Sequence, residues 1–311
     1  MRLSVVLLLL LLQASCGGGS GSSGGSGKAV VENPYREKMK ELSRNGVAAM
    51  QKERWAIAEK SFDRALQAAQ LSNDPALIAR AWYNLGMLHV SSGALKRGES
   101  ALESGMAIAN QHGLTVSQMR SRVALALLHQ NRGDSAWQPE ALSSSMPIDV
   151  HLSAARLAQL QGRYGIAHQE YGFVLRAGSD KRSGMLYRAE AHMGLALIAE
   201  EQQDHQEAKK EAATVLKMSR EIGAPRLAAH ALFLTAMLTQ EASAKSDSLK
   251  DALAIYRALK DLQGQSDTLH QLMHIAEQGS NTAELGRLQR ELDRIGEKMV
   301  RVQDEEKIEI E

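Results

Sequence analysis

The apolar positions of this chain follow helical rather than strand spacing. From residue 38 onward no segment alternates apolar and polar residues in twos with Val, Ile and Thr, as a half-buried strand does. The chain is instead rich in Ala, Leu, Glu, Gln, Lys and Arg, which are strong helix formers. It contains only five prolines, so helix breakers are few. The pattern predicts an all-α protein.

Small and large residues recur at fixed offsets within this helical pattern. One segment has Trp-x₂-Leu-Gly at Trp82, Leu85 and Gly86. An earlier segment begins at Gly46, 40 residues before Gly86, and shows the second half of the same pattern at Ala58, Phe62 and Ala65. We expect each segment to form two antiparallel helices, because the small residues allow close approach and the large ones fill the space beside them.

These offsets resemble the tetratricopeptide repeat (TPR), whose pattern is W-x₂-L-G-x₂-Y followed by A-x₃-F. Further positions of the same kind are Ala167, Tyr171 and Ala208. The resemblance covers residues 38–300 and implies helical hairpins that stack into a solenoid with a right-handed superhelix. A generic helical bundle has the same composition, but the fixed offsets favour the repeat. We expect about seven hairpins within residues 34–302.

Two of these hairpins depart from the pattern. The third has a first helix near Ser117–Asn131, but Gln138-Pro139 interrupts its second helix, because proline breaks a helix interior. The last combines residues 268–278 with a long helix from Thr282 to about Val302. Residues 303–311 are mostly acidic, and we expect a frayed, solvated tail. The alternatives are that this tail occupies a groove or presents a short recognition strand.

Residues 1–15 have the pattern of a secretory signal peptide. Arg2 is followed by the apolar stretch Leu3–Leu12 and then by the small residues Ala14 and Ser15. An apolar stretch of this length is too short to cross a bilayer, which needs about 20 residues. The pattern therefore predicts an exported protein.

Cys16, the single cysteine, follows these small residues directly. The arrangement resembles the lipobox of bacterial lipoproteins, although Gln13 stands where that family usually has an apolar residue. The resemblance implies that the leader is cut before Cys16 and that the cysteine carries acyl chains such as palmitate, which anchor a protein to a membrane. Gly17 stands where Asp would signal inner-membrane retention, so the outer membrane, on its periplasmic side, is favoured. The alternative is ordinary secretion with a free Cys16 thiol.

Residues 16–33 are predicted to form a flexible tether behind the lipid. Gly17–Gly27 consists only of Gly and Ser, a composition typical of a flexible coil. Basic and acidic residues number 37 and 36, and removal of the leader with Arg2 would make them equal, so the mature chain would have no positive excess with which to bind nucleic acid.

No motif in the chain predicts catalysis. His270 and His274 stand four residues apart on one helix face, a spacing that could hold two metal ligands. A third strong ligand is not visible, and the glutamate of the His-Glu-x₂-His zinc motif is missing. We expect a packing or exposed pair rather than a metal site. The prediction is a protein without cofactor, metal, enzymatic activity or small-molecule substrate.

The TPR resemblance also implies a binding groove lined by the first helix of each hairpin. The residues that it places there are Arg80, Tyr83, Met87, Arg120, Leu127, Arg156 and Gln159. Arginines among apolar residues would suit an extended or helical segment with acidic and apolar groups. The clamp that some TPR proteins use for a C-terminal carboxylate is not favoured, because Ser43 and Val47 replace its Lys and Asn.

Together these patterns predict a lipid-anchored scaffold that binds other envelope proteins or peptides through TPR hairpins. An assembly factor for an envelope complex is the sharper form of this interpretation. It rests on analogy of fold and location, since no motif selects a partner. A peptide-sensing regulatory TPR module is the alternative, and a metal-dependent enzyme built on His270 and His274 is a third hypothesis.

Overall fold

The computed structural model describes residues 33–50, 54–134, 137–179 and 181–308, with side chains as far as Met299. These residues form thirteen α-helices and no β-strand. The helices are α1 (Pro34–Met50), α2 (Trp55–Ser72), α3 (Pro75–Ser91), α4 (Leu95–Gln111), α5 (Thr115–Arg132), α6 (Ile148–Leu160), α7 (Tyr164–Ala177), α8 (Arg182–Glu201), α9 (His205–Ile222), α10 (Pro225–Met237), α11 (Ala242–Ala258), α12 (Leu262–Gln278) and α13 (Thr282–Ile308). The all-α prediction is confirmed.

Consecutive helices pack in pairs. The first compact unit extends to Glu170, within α7, and the second begins at Tyr171. In the first unit α1 packs on α2 and α3 on α4, and in the second unit α8 packs on α9, α10 on α11 and α12 on α13. Within each unit, second helices also contact the first helix that follows, as α2 contacts α3 and α9 contacts α10. Packing between sequence neighbours in this way is the arrangement of a helical repeat protein.

Glycines at the predicted offsets let the paired helices touch. A Cβ atom on Gly46 would lie 2.7 Å from Cε1 of Phe62, and one on Gly86 would lie 2.6 Å from Cγ of Leu102. Both large side chains are fully buried, so neither can move aside without disturbing the core. In the pairs α1–α2 and α3–α4, the small–large pattern of the sequence therefore corresponds to direct contacts between the two helices.

The other predicted packing positions are also inside the protein. Ala58, Ala65, Leu85, Ala167, Tyr171 and Ala208 are buried, and Trp82 is half-buried against the core around Phe62. In the second unit Gly194 lies against Tyr171, and Gly264 lies against Tyr256. The same complementarity of glycine and a large side chain thus holds in both units.

Local capping residues set several helix boundaries. Asp74 accepts hydrogen bonds from the backbone N–H groups of Ala76 and Leu77, and Pro75 occupies the first turn of α3. Gly133 ends α5 in the left-handed conformation, with φ of 79°, where a side chain would be strained. Gly133 thus ends the first helix of the third hairpin close to the predicted end at Asn131.

The third hairpin lacks a second helix. The described residues between α5 and α6 form no helix, as the position of Pro139 predicts. Side chains from α7 and its N-terminal turn hold this segment instead. Arg163 donates a hydrogen bond from Nη1 to the carbonyl of Pro139 (2.5 Å), and the N–H of Leu142 donates to Oε1 of Glu170 (2.8 Å). Six helix pairs and the single helix α5 thus account for the seven hairpins expected, of which the third was predicted to be irregular.

The C-terminal helix is longer than the sequence pattern suggests. We predicted an end near Val302, but α13 continues to Ile308. The additional residues are mainly Glu, Asp and Lys, of which Glu and Lys favour helix even when nothing packs against them. The predicted signal peptide, Cys16 and nearly all of the tether lie outside the described residues.

Candidate functional site

A trough opens along α3 and α5 in the first unit. Its larger part, the apolar compartment, has a volume of about 470 Å³ including its open mouth. Side chains from α3, α5 and the start of α6 surround it. Its apolar lining comprises Tyr83, Met87, Val90, Val123, Ala124, Leu127, Leu128 and Val150. The compartment therefore offers mostly hydrophobic contact to a bound group.

A smaller polar compartment adjoins it along the same two helices. Its volume is about 310 Å³, again including open space. Tyr83 and Arg120 line both compartments, so the two lie side by side and share part of their walls. The remaining lining consists of Ala79, Arg80, Asn84 and Ser117. This compartment presents guanidinium, amide and hydroxyl groups, all of which can donate hydrogen bonds.

An ion pair fixes the boundary between the two compartments. Arg120 on α5 binds Asp149 on α6 through two hydrogen bonds, from Nε to Oδ2 at 2.7 Å and from Nη2 to Oδ1 at 2.9 Å. The two side chains are only 18% and 16% exposed. A bidentate pair of this kind holds both planar groups in one orientation. The wall between the compartments is therefore pre-organised.

Tyr83 remains a neutral phenol in this environment. Burial raises its pKa to about 12, and the nearby carboxylate of Asp149 adds to the increase, while Arg120 opposes it. The hydroxyl consequently keeps its proton at physiological pH and can act as a hydrogen-bond donor within the trough.

The structure brings together five of the seven predicted groove residues. Arg80, Tyr83, Met87, Arg120 and Leu127 all line the trough. Their location agrees with the register that the TPR resemblance implies, although a role in partner binding stays a prediction.

The other two predicted groove residues lie elsewhere. Arg156 and Gln159 on α6 are 3% and 5% exposed and line neither compartment. Two nitrogen atoms of Arg156, Nε and Nη1, are buried without a hydrogen-bond partner among the described residues. The register identifies a helix face, but it does not show how deeply neighbouring elements cover that face.

The predicted groove did not include five polar residues that line the trough: Asn84, Ser117, Asn131, Asp149 and Ser153. Asp149 stands seven residues before Arg156, as Arg80 stands seven residues before Met87, so the repeat register contained the signal for Asp149. The register did not predict that Asp149 pairs with Arg120, because this ion pair depends on the direct packing of α5 against α6.

The two spaced histidines lie on the outer face of α12. His270 and His274 are exposed, and His274 contacts only its helix neighbours Glu277 and Gln278 among the described residues. Nowhere in the described ranges do three or more His, Cys, Asp or Glu side chains gather as a metal site would require. Among the described helices, none is both long enough and apolar enough to cross a membrane.

No protein-family model matches this sequence, and no curated protein is similar to it. Solved structures with related helical arrangements include BtubC (BKLC) from P. vanneervenii, at 13% identity and a TM-score of 0.46, covering 86% of this chain and 92% of that one. The apo form of the quorum sensor NprR from B. thuringiensis has 14% identity and a TM-score of 0.44, with 83% and 87% covered.

A third solved structure is a signal transduction ATPase (STAND) protein with a tetratricopeptide repeat sensor, from Pyrococcus horikoshii. It has 12% identity and a TM-score of 0.43, and the match covers 86% of this chain and 44% of that one. We draw no functional conclusion from similarities of this size. The paired helices and their glycine contacts nevertheless define the described part of this chain as a TPR-like helical repeat.

Proposed function

We propose that this protein is a TPR-like binding module that holds a segment of another protein in the trough between α3 and α5. The observation that carries the proposal is the trough itself, where side chains from three first helices form an apolar compartment beside a polar one. A concave surface with a mainly apolar lining and a few fixed polar groups is the usual form of a binding site. The proposed role is binding rather than catalysis.

We further propose that the module acts at the cell envelope as a scaffold or assembly factor. The support is the sequence alone: an export signal in residues 1–15, Cys16 in a lipobox-like position and a Gly/Ser tether behind it. A lipid on Cys16 would keep the trough near the outer membrane, on its periplasmic side, while the tether lets the folded part rotate.

The anchor is tested by comparing the wild type with Cys16→Ser. Metabolic labelling with a palmitate analogue should label the wild-type protein, and fractionation should place it in the membrane. The variant should lose the label and appear in the soluble fraction. Mass spectrometry showing an intact, unmodified leader on the wild type would contradict this part of the proposal.

The binding role is tested by filling the trough. Ala124 on α5 is half-buried in the apolar compartment, so Ala124→Arg places a bulky charge there without removing a core side chain. Ala107→Arg, on the exposed face of α4, is the matched control. Chemical cross-linking in intact cells should retrieve the same partner with the wild type and the control and lose it with Ala124→Arg. Equal retrieval by all three would overturn the binding role.

A further inference from the structure

The exposed large apolar side chains of the described residues all lie in the first helix pair. Ile57 and Leu71 on α2 are 55% and 63% exposed, and Tyr35 on α1 is 43% exposed. Single apolar residues scattered over a protein surface are common, but these three belong to the first two of the thirteen helices. Their confinement to one helix pair is typical of a contact surface rather than of chance exposure.

Two cations stand between the apolar residues of α2. Ile57, Arg64 and Leu71 are spaced seven residues apart, which is about two helical turns, so they follow one line along the helix. Lys60 lies beside this line, and both it and Arg64 are exposed. The exposed carboxylate of Asp63 lies on the flank, about 100° around the helix from Arg64. We call Ile57, Lys60, Arg64 and Leu71 the α2 stripe.

The helix pair that carries the α2 stripe is also the basic part of the chain. Residues 34–72 contain eight basic and five acidic residues, whereas the whole chain contains 37 and 36. The rest of the chain is therefore slightly acidic. A local positive excess of this kind complements a surface of anionic lipid headgroups.

The chain enters the folded part beside one end of the α2 stripe. Nδ2 of Asn33, the first described residue, donates a hydrogen bond to the carbonyl of Ser72 (3.3 Å), which directly follows Leu71. The sequence predicts acyl chains on Cys16, 17 residues before Asn33. A Gly/Ser-rich coil of that length spans about 20–25 Å. A membrane that holds Cys16 is therefore within reach of the α2 stripe, whose own length is about 21 Å.

We propose that the α2 stripe docks on the membrane that holds Cys16, an inference that rests on the proposed anchoring and adds an orientation to it. Ile57 and Leu71 enter the headgroup region, and Lys60 and Arg64 pair with anionic headgroups. Apolar and cationic residues along one helix face are typical of helices that lie on anionic bilayers. A few such groups bind weakly by themselves, so the lipid supplies retention and the stripe supplies orientation.

Docking in this way leaves the trough accessible. Of the described residues of α1 and α2, none lines either compartment. The surface that contacts the membrane and the surface proposed to bind a protein segment are thus separate parts of the first unit.

Photo-cross-linking from the α2 stripe tests the docking. The full chain is produced with a benzophenone amino acid at Leu71 or, as the control, at Ala107 on α4. Both positions are exposed, so the probe disturbs no core packing. Each protein is purified in detergent as the cell processes it and is reconstituted into vesicles of phosphatidylethanolamine and phosphatidylglycerol. Irradiation should add the mass of one phospholipid at position 71 and not at position 107. No lipid adduct at position 71, or equal adducts at both positions, would overturn the proposal.

Reversing the charges of the stripe tests the contribution of its cations. Lys60→Glu combined with Arg64→Glu should lower the yield of lipid adduct at position 71 by about fivefold or more, because both cations become anions facing an anionic surface. Lys209→Glu combined with Lys217→Glu, at two exposed positions of α9, makes the same change in net charge and should leave the yield unchanged. Circular dichroism verifies that both double variants keep their helices. Equal yields from the two double variants would contradict docking through the stripe.

The outcomes distinguish the docking from the anchoring. If Cys16 carries acyl chains and position 71 gives no lipid adduct, the anchoring holds and the docking is wrong. If the adduct forms although mass spectrometry finds Cys16 unmodified, the stripe binds bilayers and the anchoring is wrong. A discrete protein adduct at position 71 in intact cells, in place of the lipid adduct, would identify the stripe as a protein interface and overturn the docking.

Discussion

At the residue scale, the fold depends on places where the absence of a side chain allows two helices to meet. Gly46 shows this directly, because the ring of Phe62 occupies the space that a Cβ atom would need. The sequence made this contact predictable, since the two residues stand at fixed offsets of a known repeat. The burial of Arg156 was not predictable, because the repeat register identifies a helix face but not how deeply that face is covered.

Gly46→Ala should destabilise the protein by about 1–3 kcal/mol, because the new methyl group must displace a fully buried ring. Chemical denaturation measures the change. Adding Phe62→Leu should recover part of the loss, as expected for two residues in contact. Gly296→Ala is the control: a Cβ atom there meets nothing within 4 Å, so alanine should stabilise the helix by about 0.5–1 kcal/mol. Equal effects at the two glycines would contradict the packing account.

A second prediction at this scale concerns pH. Glu211 is half-buried on α9, and burial by itself would raise the pKa of its carboxyl group. Hydrogen bonding and charge attraction from His192 outweigh the effect of burial, so the pKa of Glu211 lies below its usual value. The His192 Nδ1 to Glu211 Oε2 distance is 2.5 Å. A carboxyl group whose pKa is lower in the folded than in the unfolded protein stabilises the fold at every pH above its unfolded-state pKa. This stabilisation is lost as the pH falls through the folded-state pKa.

Glu211→Gln should therefore lower the free energy of unfolding by about 1 kcal/mol at pH 7. The difference between variant and wild type should shrink as the pH is lowered below the usual carboxyl range. Denaturant titrations at several pH values measure it. A difference that stays constant down to low pH would show that the charge of Glu211 does not stabilise the fold.

At the element scale, the segment between α5 and α6 is the part that sequence reasoning described least well. The pattern predicted that no second helix forms there, since Pro139 is visible in the sequence. It did not predict what holds the segment, because the partners lie far along the chain. Glu170, which is fully buried, accepts hydrogen bonds from the backbone of Leu142 and from Nδ1 of His151.

His192 and Glu211 form a second His–Glu pair with the same separation of 19 residues.

Glu170→Ala should release this segment, because it leaves the Leu142 N–H and the His151 ring without their common acceptor. Leaving buried donors without an acceptor typically costs about 1–3 kcal/mol, so global stability should also fall. Hydrogen–deuterium exchange should show faster exchange in residues 137–147 than elsewhere. Glu140→Ala, an exposed change in the same segment, should leave the exchange unchanged. Uniform acceleration throughout the chain would mean that Glu170 does not specifically hold this segment.

At the scale of the whole molecule, the sequence predicts the repeat architecture, and the structure adds the pairing of side chains between helices. The repeat offsets predicted the helix pairs and most of the trough, because stacking first helices places their equivalent positions side by side. They did not predict the ion pair between Arg120 and Asp149, which depends on how α5 packs against α6. The envelope location rests on residues 1–32, and it stays a proposal.

The central claim is that the trough between α3 and α5 receives a segment of another protein. Site-specific photo-cross-linking in intact cells tests it most directly, with a benzophenone amino acid placed at Ala124 in the trough or at Ala107 on the exposed face of α4. The account predicts a discrete cross-linked product from position 124 and at most a trace from position 107. Equal products from both positions, or none from position 124, would contradict it.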